Sequence, residues 1–330
     1  MNPIRLALIG AGIFARDAHI PALLRLRDRF ELAAIYSRTE ATAHALQSAC
    51  GVNAPIYTDL QTLLHAPEID ALDVVLPIPA MPPIVAQALA SGKHVISEKP
   101  LAADVATCRQ LLAAYRRPEQ VWMVAENWRY ESAYMQAVAL VREGAIGQPR
   151  TCQMALYLPM TPSSKYFDTT WRRNSSFAGG ALMDGGVHHV AVMRLILGEV
   201  TAVSAMTAHT SSIFAGDDTL SATLHFANGV IGSYLVSYAV GAPWSGDLIV
   251  VGDAGALRIQ RGRIELQRNQ ATETISCPKF DGVDNELAAF AVAIQQGAPH
   301  DNTPEEGLRD VIVVEAMLQA AARGEQIRLE

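Results

Sequence analysis

The fold is decided by residues 4–15, which read IRLALIGAGIFA. The first half of this stretch is a mostly apolar run typical of a buried strand, and the second half fits the pattern G-x-G-x-x-[G/A] at the start of a helix. In this pattern the glycines permit a tight turn and a close approach of the backbone to a pyrophosphate. The N–H groups at the helix start would face the phosphates. A purely structural turn can look the same, but the flanking strand and helix favour a dinucleotide site at Gly10, Gly12, Ile13, Phe14 and Ala15.

Strand and helix patterns alternate from this stretch to about residue 126. Nearly continuous apolar strands separated by amphipathic helices are typical of a parallel sheet covered on both faces. The pattern therefore predicts a doubly wound α/β domain over residues 1–126, with helix N-caps at Asp59 and Asp104. The predicted strands are Ile4–Ile9, Leu32–Tyr36, Ala71–Leu76, His94–Ser97 and Val121–Ala125, and the predicted helices lie at about 14–28, 39–49, 81–91 and 104–116.

The pattern changes in residues 127–330, where β-rich runs follow one another with turn signals between them. Asn228-Gly229 between two such runs is a hairpin signal. Strands in hairpin order predict an antiparallel or mixed sheet, and so an α+β domain. The predicted strands are Arg150–Leu158, Val200–His209, Thr219–Phe226, Val230–Val240, Asp247–Val251 and Ala256–Gln260, and the predicted helices are Glu131–Glu143, 283–296 and 305–322.

Composition limits the classes of function. Half of the residues are hydrophobic, yet no stretch of about 18 or more is uninterruptedly apolar, so we expect neither a membrane span nor disorder. The apolar excess is then expected in a buried sheet or an oligomer interface. The net charge of −7 argues against nucleic acid as a partner. The four cysteines stand far apart, which is typical of reduced thiols in a cytoplasmic protein and gives no zinc framework.

The end of the second predicted strand should carry the residue that selects the cofactor. An Asp or Glu there would bind the ribose 2′-hydroxyl of NAD, but this chain has Tyr36-Ser37-Arg38. Arg38 can pair with a 2′-phosphate through its planar guanidinium, and Ser37 can add a hydroxyl. The alternative is that Arg38 is an ordinary exposed residue at a helix start. The missing carboxylate favours NADP(H), with NAD(H) as the alternative.

Two further segments carry candidate catalytic groups. Lys99 follows the predicted strand His94–Ser97, at the edge where such a sheet binds its ligand, and a lysine there can stabilise negative charge or relay a proton. An isolated lysine is otherwise a solvated surface charge. The segment GGALMDGGVHH at 179–189 places Asp184 and His188 four residues apart, on one face if it is helical. Such a pair can be an acid–base group, a metal half-site or a buried cap, and no further His, Cys or Asp cluster supports a metal.

With these segments the chain resembles the glucose–fructose oxidoreductase/inositol dehydrogenase (Gfo/Idh/MocA) family. The resemblance implies an N-terminal Rossmann domain and a C-terminal α+β domain whose large, mainly antiparallel open sheet commonly forms the interface of a homodimer or homotetramer. It also implies NAD(P)-linked hydride transfer to or from a sugar, cyclitol or related hydroxyl or carbonyl compound. The matching segments occur in family order: GAGIFA at 10–15, ASGKHVISEKP at 90–100, EGAIG at 143–147, Trp171-Arg172, GGALMDGGVHH at 179–189 and Thr303-Pro304.

The resemblance also implies roles for individual residues. Lys99 matches the family's catalytic lysine, His188 its acid–base histidine and Asp184 its substrate-orienting aspartate. Trp171 and Arg172 match a pair that contacts the cofactor in NADP-using relatives. Further expected cofactor contacts are Leu76, Pro77, Glu98, Lys99 and Asn127, and the expected substrate contacts are Lys99, Arg129, Tyr166, Asp184 and His188.

Some features leave the substrate and the activity open. Leu76-Pro77-Ile78-Pro79 stands where relatives often have T-P-N-x-x-H, and Ala191 stands where an Asp often follows the histidine. The polar loop Leu158–Ser176 is a candidate substrate lid. A relative that has lost catalysis would be a nucleotide- and sugar-binding sensor or regulatory protein. The chain retains all three catalytic candidates, which favours the enzyme.

Overall fold

A computed structural model describes residues 2–115, 119–174, 176–244 and 246–329. The chain forms two compact units, Met1–Asn127 with Val283–Leu308, and Trp128–Gly282 with Arg309–Glu330. These units differ from the sequence-predicted division at residue 126, because a late segment joins the first unit. Residue 116, the last of the predicted helix 104–116, and residue 175, within the predicted lid, lie outside the described residues.

The described part of the first unit contains a six-stranded sheet in the order β3-β2-β1-β4-β5-β6. Its neighbouring strands are parallel, and the strand order reverses direction between β1 and β4, as in Rossmann sheets. The predicted doubly wound α/β domain is therefore confirmed. The two-residue strand β3 was not predicted because it is too short to show a period. The strands are β1 (Ile4–Ile9), β2 (Phe30–Tyr36), β3 (Ile56–Tyr57), β4 (Ala71–Val74), β5 (His94–Glu98) and β6 (Trp122–Ala125).

Helices cover the first sheet and build much of the second unit. Asp59 and Asp104 cap helices as predicted, since their carboxylates accept hydrogen bonds from the backbone N–H groups of Thr62 and Thr107 at 2.7 Å. A π-helical segment, Ala15–His19, precedes the first α-helix. The α-helices are α1 (Ile20–Arg25), α2 (Glu40–Cys50), α3 (Leu60–His65), α4 (Met81–Ala90), α5 (Val105–Ala114), α6 (Ser132–Arg142), α7 (Thr170–Arg173), α8 (Gly180–Leu197), α9 (Gly282–Gln296) and α10 (Pro304–Arg323).

Helix α9 belongs to the first unit because of its apolar face. Leu287, Phe290 and Ala291 are fully buried and share one hydrophobic cluster with Ile4 and Phe30 of the first sheet. The rings of Phe30 and Phe290 are stacked with their centroids 6.4 Å apart. The spacing of three and four residues puts these side chains on one helix face, so burying that face attaches the helix to the first sheet. This packing joins residues far apart in the sequence, which is why local patterns did not predict it.

The described part of the second unit contains a nine-stranded sheet in the order β14-β13-β12-β11-β7-β10-β9-β8-β15. Its neighbours are antiparallel except for the parallel pair β7 and β10, which confirms the predicted mainly antiparallel sheet. The strands are β7 (Pro149–Tyr157), β8 (Val200–Ala208), β9 (Thr219–Phe226), β10 (Ile231–Ser237), β11 (Asp247–Gly252), β12 (Ala256–Gln260), β13 (Arg263–Arg268), β14 (Ala271–Ser276) and β15 (Ile327–Arg328).

One face of the second sheet is packed and the other is open. In β9 every second residue from Leu220 to Phe226 is buried, and the residues between them are exposed. Strands β13, β14 and β15 were not predicted. The edge strand β14 has no buried residue, so it lacks the alternating apolar pattern that reveals a strand. Among the described helices, none has both the length and the apolar content that a membrane span requires.

Candidate active site

The residues predicted to bind a dinucleotide in the first unit follow the carboxyl ends of five strands of one sheet. Because β2, β1, β4, β5 and β6 are parallel neighbours, their carboxyl ends lie along one edge. The structure therefore brings these candidates to the edge at which doubly wound sheets bind ligands. They are Gly10, Gly12, Ile13, Phe14 and Ala15 after β1, Ser37 and Arg38 after β2, Leu76 and Pro77 after β4, Glu98 and Lys99 at β5, and Asn127 after β6.

The glycine turn fits a pyrophosphate. Gly10 has a φ of +117°, and a Cβ there would lie 2.2 Å from the carbonyl oxygen of Val75, so no other residue fits without distortion. A Cβ at Gly12 would meet no atom within 4 Å. Open space therefore lies beside the start of the helix, where backbone N–H groups can bind an anion.

Ser37 and Arg38, the two residues predicted to select the cofactor, follow β2 directly. The side chain of Ser37 is buried, whereas Arg38 is exposed. The next helix, α2, begins only at Glu40, so Arg38 lies in the turn between strand and helix. An exposed guanidinium in this turn is free to rotate toward a ligand on the sheet edge.

A cluster of buried ionisable groups lies beneath this edge. The Nδ1 atom of His19 is 2.7 Å from an Asp73 carboxylate oxygen, and its Nε2 atom is 3.0 Å from a Glu98 carboxylate oxygen. Burial opposes the charge of His19, but the attraction of Asp73 and the hydrogen bonds to both carboxylates hold the pKa of His19 well above its ordinary value. Burial, reinforced by the charge of Glu98, raises the pKa of Glu286 well above its ordinary value. The cluster therefore favours the charged form of His19 and the neutral form of Glu286.

The stability of the protein is expected to fall as the pH rises above about 6.5, the unfolded pKa of histidine. The contribution of His19 is fully present below that pH and is lost as the pH rises through its higher folded pKa. Glu286 also makes the stability fall as the pH rises above about 4.3, the unfolded pKa of glutamate, because its folded pKa is raised as well. Urea unfolding between about pH 6.5 and about pH 9 measures the slope, because below about pH 6.5 the lowered pKa values of His94 and His300 act with the opposite sign. Glu286→Gln should flatten this slope, and a constant or rising stability over this range would contradict the raised pKa values of His19 and Glu286.

In the second unit, α8 carries two of the catalytic candidates. Asp184 and His188 lie one helical turn apart on this helix, as their spacing predicted. Both side chains are partly buried. The Nε atom of Arg172 lies 3.0 Å from an Asp184 carboxylate oxygen. The same guanidinium lies over the rings of Tyr166 and Trp171, at 4.4 and 4.2 Å from their centroids. Four predicted site residues therefore form one cluster: Tyr166, Trp171, Arg172 and Asp184.

Trp128 is a site residue that the sequence reasoning missed. Its ring stacks on the imidazole of His188, with the centroids 5.3 Å apart and the planes 14° apart. The ring of Tyr134 is also stacked on that of Trp128, with the centroids 5.8 Å apart. The guanidinium of Arg261 lies 5.0 Å from the centroid of the Trp128 ring. Trp128 thus fixes the plane of the candidate acid–base histidine. Trp128 lies between Asn127 and Arg129, both of which the sequence predicted as site residues. An aromatic residue between two predicted contacts was the available signal.

Tyr238 is a second missed residue. A Cβ at position 185 would lie 1.8 Å from the Tyr238 hydroxyl, so Gly185 leaves the room that this hydroxyl occupies. Burial, together with the negative charge of Asp184, raises the pKa of Tyr238. The hydroxyl has no hydrogen-bond partner among the described residues. A tyrosine hydroxyl whose neutral form is favoured thus lies near Asp184.

Two other residues of this unit make buried structural contacts. Arg129 is 2% exposed and donates hydrogen bonds to both carboxylate oxygens of Asp310, which also accepts one from Arg194. The Nδ1 atom of His189 lies 2.6 Å from the Tyr234 hydroxyl. The pairing of Arg129 favours a structural role, and its contact with substrate stays a prediction.

The comparison with known families agrees with this geometry. Two family models match nearly the whole chain: "Oxidoreductase family, NAD-binding Rossmann fold" over residues 4–126, and "Oxidoreductase family, C-terminal alpha/beta domain" over residues 138–329. The chain belongs to the Gfo/Idh/MocA family. The predicted family and fold are therefore confirmed, and this Gfo/Idh/MocA protein is an oxidoreductase with an NAD-binding Rossmann domain.

Individual relatives match over almost their full length. This Gfo/Idh/MocA chain is 30% identical to the dehydrogenase FPY6 of Fusarium mangiferae, over 97% of both chains. It is 29% identical to the dTDP-3,4-didehydro-2,6-dideoxy-alpha-D-glucose 3-reductase of Streptomyces violaceoruber, over 97% of this chain and 96% of the reductase. A crystal structure of an oxidoreductase from Thermotoga maritima superposes with a TM-score of 0.92 at 34% identity, covering 99% of this chain and 98% of that one.

Proposed function

We propose that this protein transfers hydride between NADP(H) and a sugar, cyclitol or related hydroxyl or carbonyl compound. The observation that carries the proposal is the pair Asp184 and His188 on one face of α8, retained together with Lys99 at the sheet edge that bears the glycine turn. A member of the family without catalysis would have no need of all three groups. The similarity to a reductase of a sugar nucleotide supports a sugar-like substrate.

Each group has a task that its chemistry allows. The nicotinamide, when bound, supplies or accepts the hydride. The ammonium of Lys99 stabilises the negative charge that develops on the reacting oxygen. His188 takes the hydroxyl proton during oxidation and returns a proton during reduction. Asp184, held by Arg172 at 3.0 Å, orients the substrate and His188.

A substrate panel tests this function. Purified protein is mixed with sugars, cyclitols and their keto forms in the presence of NADP(H) or NAD(H), and the absorbance of the reduced nicotinamide is followed. We expect turnover with at least one class of polyol or keto-sugar. Binding of the dinucleotide without turnover across the panel would instead support a sensor or regulatory protein of the same fold.

The preference for NADP(H) rests on Arg38. Arg38→Ala is expected to raise the Kd of NADPH by about 10–100-fold, because charge-assisted hydrogen bonds contribute about 1.5–3 kcal/mol, and to change the Kd of NADH less than about twofold. Titration of the protein's tryptophan fluorescence with each dinucleotide measures both constants. Arg27→Ala, which removes an exposed arginine elsewhere in the first unit, is the matched control. An equal loss for NADPH and NADH would remove Arg38 from this role.

We infer that the protein forms homodimers or homotetramers through the second unit's sheet. Its open face exposes apolar side chains that a soluble monomer rarely leaves in water, among them Met206, Ile231 and Val251 at 79%, 52% and 38% exposure. Light scattering should report a dimer or tetramer, and Ile231→Lys should shift it toward monomer. Leu24→Lys, at an exposed apolar residue of the first unit, should not. A monomeric wild-type protein would contradict this inference.

A cytoplasmic location is also part of the proposal. Its support is the state of Cys50, Cys152 and Cys277, which lie within the described ranges and are free thiols. Labelling of all four cysteines of the chain with a thiol reagent, in denatured protein taken directly from cells, tests it, because thiols oxidised in the cell would escape the reagent.

A further inference from the structure

His19 is a buried polar residue to which the proposed mechanism gives no task. It ends the π-helical segment Ala15–His19, which follows directly on the glycine turn. π-helical segments are rare, and those that occur are often found at functional sites. Their wider turn redirects the side chains that they carry. The imidazole is fully buried, and its ring packs edge-on against Phe14 at 5.2 Å.

The two hydrogen bonds of His19 join the π-helical segment to the ends of two strands. Asp73 belongs to β4 and Glu98 to β5, while His19 itself follows β1. Both ring nitrogens face carboxylate oxygens, and the imidazolium form can donate to both of them. The segment that would bind the pyrophosphate is thereby tied directly to the strand that ends beside Lys99.

The other charged groups facing this network are acidic. Glu286 of α9 lies close enough for its pKa to respond to His19, Asp73, Glu98 and Glu126. Asn302 donates to the Glu126 carbonyl at 3.1 Å and to a Glu286 carboxylate oxygen at 3.4 Å. A buried network of this kind is weak evidence for stability, since apolar side chains of similar volume are often as stable or more so. Stability alone is therefore a weak explanation for this buried network.

The consequence of the network falls on Lys99. Glu98 immediately precedes Lys99 in the chain, so a hydrogen bond that fixes the Glu98 side chain also fixes the backbone from which the lysine side chain extends. Glu98 is only 7% exposed, whereas Lys99 is partly exposed at the sheet edge. A catalytic group placed slightly wrongly loses much of its effect, so a support of this kind has a kinetic value.

We propose that His19 is a positioning residue for Lys99, holding Glu98 through Nε2 and so coupling the dinucleotide-binding segment to the catalytic lysine. The proposal rests on the proposed function in giving Lys99 its catalytic task. It adds a residue that touches neither substrate nor hydride, and it assigns the two hydrogen bonds of His19 unequal importance. The bond to Glu98 sets the position of Lys99, and the bond to Asp73 keeps the ring charged and oriented.

Two substitutions separate these bonds. His19→Gln keeps a donor at the Nε2 position and loses the donor toward Asp73, whereas His19→Asn keeps a donor at the Nδ1 position and loses the donor toward Glu98. Both remove the same charge. We expect His19→Asn to lower kcat by about 10–100-fold, with the KM and the dinucleotide Kd within about threefold of wild type, because misplacement of a catalytic group acts on the reacting step. His19→Gln should keep kcat within about threefold of wild type.

A second measurement does not depend on turnover. The sequence contains four lysines, so acylation of each one can be followed by mass spectrometry in the protein without dinucleotide. The acylation rate of Lys99, relative to that of exposed Lys279, should change in His19→Asn and stay near wild type in His19→Gln. If wild type turns over no substrate while this difference in labelling is present, the proposed function fails and the positioning role stands.

Equal effects of the two substitutions on kcat and on Lys99 labelling would overturn the proposal, because the bond to Glu98 would then have no role that the bond to Asp73 lacks. Thermal unfolding of both variants reports whether they fold. If His19→Asn does not fold, Glu98→Ala breaks the same bond from the other side. It should then reproduce the altered Lys99 labelling, and unaltered labelling would overturn the proposal.

Discussion

Lys99→Met is expected to lower kcat by about 10²–10³-fold while the protein still folds and binds the dinucleotide. Methionine has nearly the length and volume of lysine but no ammonium, so only the stabilisation of the reacting oxygen is lost. Steady-state kinetics with the preferred substrate measure the loss, and fluorescence titration measures dinucleotide binding. Lys279→Met, at an exposed lysine of the second unit, is the matched control and should leave kcat unchanged. A Lys99→Met protein with full turnover would exclude this lysine from the chemistry.

His188→Gln is expected to lower kcat by about 10²–10⁴-fold, because glutamine fits beside Trp128 but cannot carry a proton between substrate and water. The pH profile of kcat should also lose the limb that reports the ionisation of the histidine. The neighbouring position is an internal control. His189→Gln disturbs a buried contact with Tyr234 and should lower the unfolding temperature while keeping that limb. A His188→Gln protein that keeps the limb would assign proton transfer to another group.

The parts of the fold that follow from local patterns were predicted from the sequence. The apolar run and glycine turn at residues 4–15 place β1, and alternation then places the other long strands of the first sheet. The assignment of α9 to the first unit depends on the packing of Phe290 against Phe30, which are 260 residues apart in the chain. Strand β14 was not predicted because none of its side chains is buried, so its sequence shows no alternating apolar pattern. Local sequence patterns carry neither kind of information.

The candidate site divides in the same way. Asp184 and His188 were predictable because their spacing matches one helical turn, and Lys99 because it follows a strand. Trp128 and His19 were not, because their importance comes from partners distant in sequence. Trp128 stacks on a histidine of α8, and His19 bonds to carboxylates of two strands that follow much later. The sequence thus predicts the groups that react better than the groups that hold them.

Transfer of deuterium tests most directly that this protein moves a hydride between nicotinamide and a sugar-like carbon. The best polyol from the substrate panel is prepared with deuterium on the carbon that bears the reacting hydroxyl, and the reaction is run with NADP⁺. Mass spectrometry of the dinucleotide should show a single deuterium on the reduced nicotinamide, and Lys99→Met should form this product far more slowly. A reduced nicotinamide without deuterium, or a protein that binds the dinucleotide and forms no product with any compound of the panel, would contradict the proposed function.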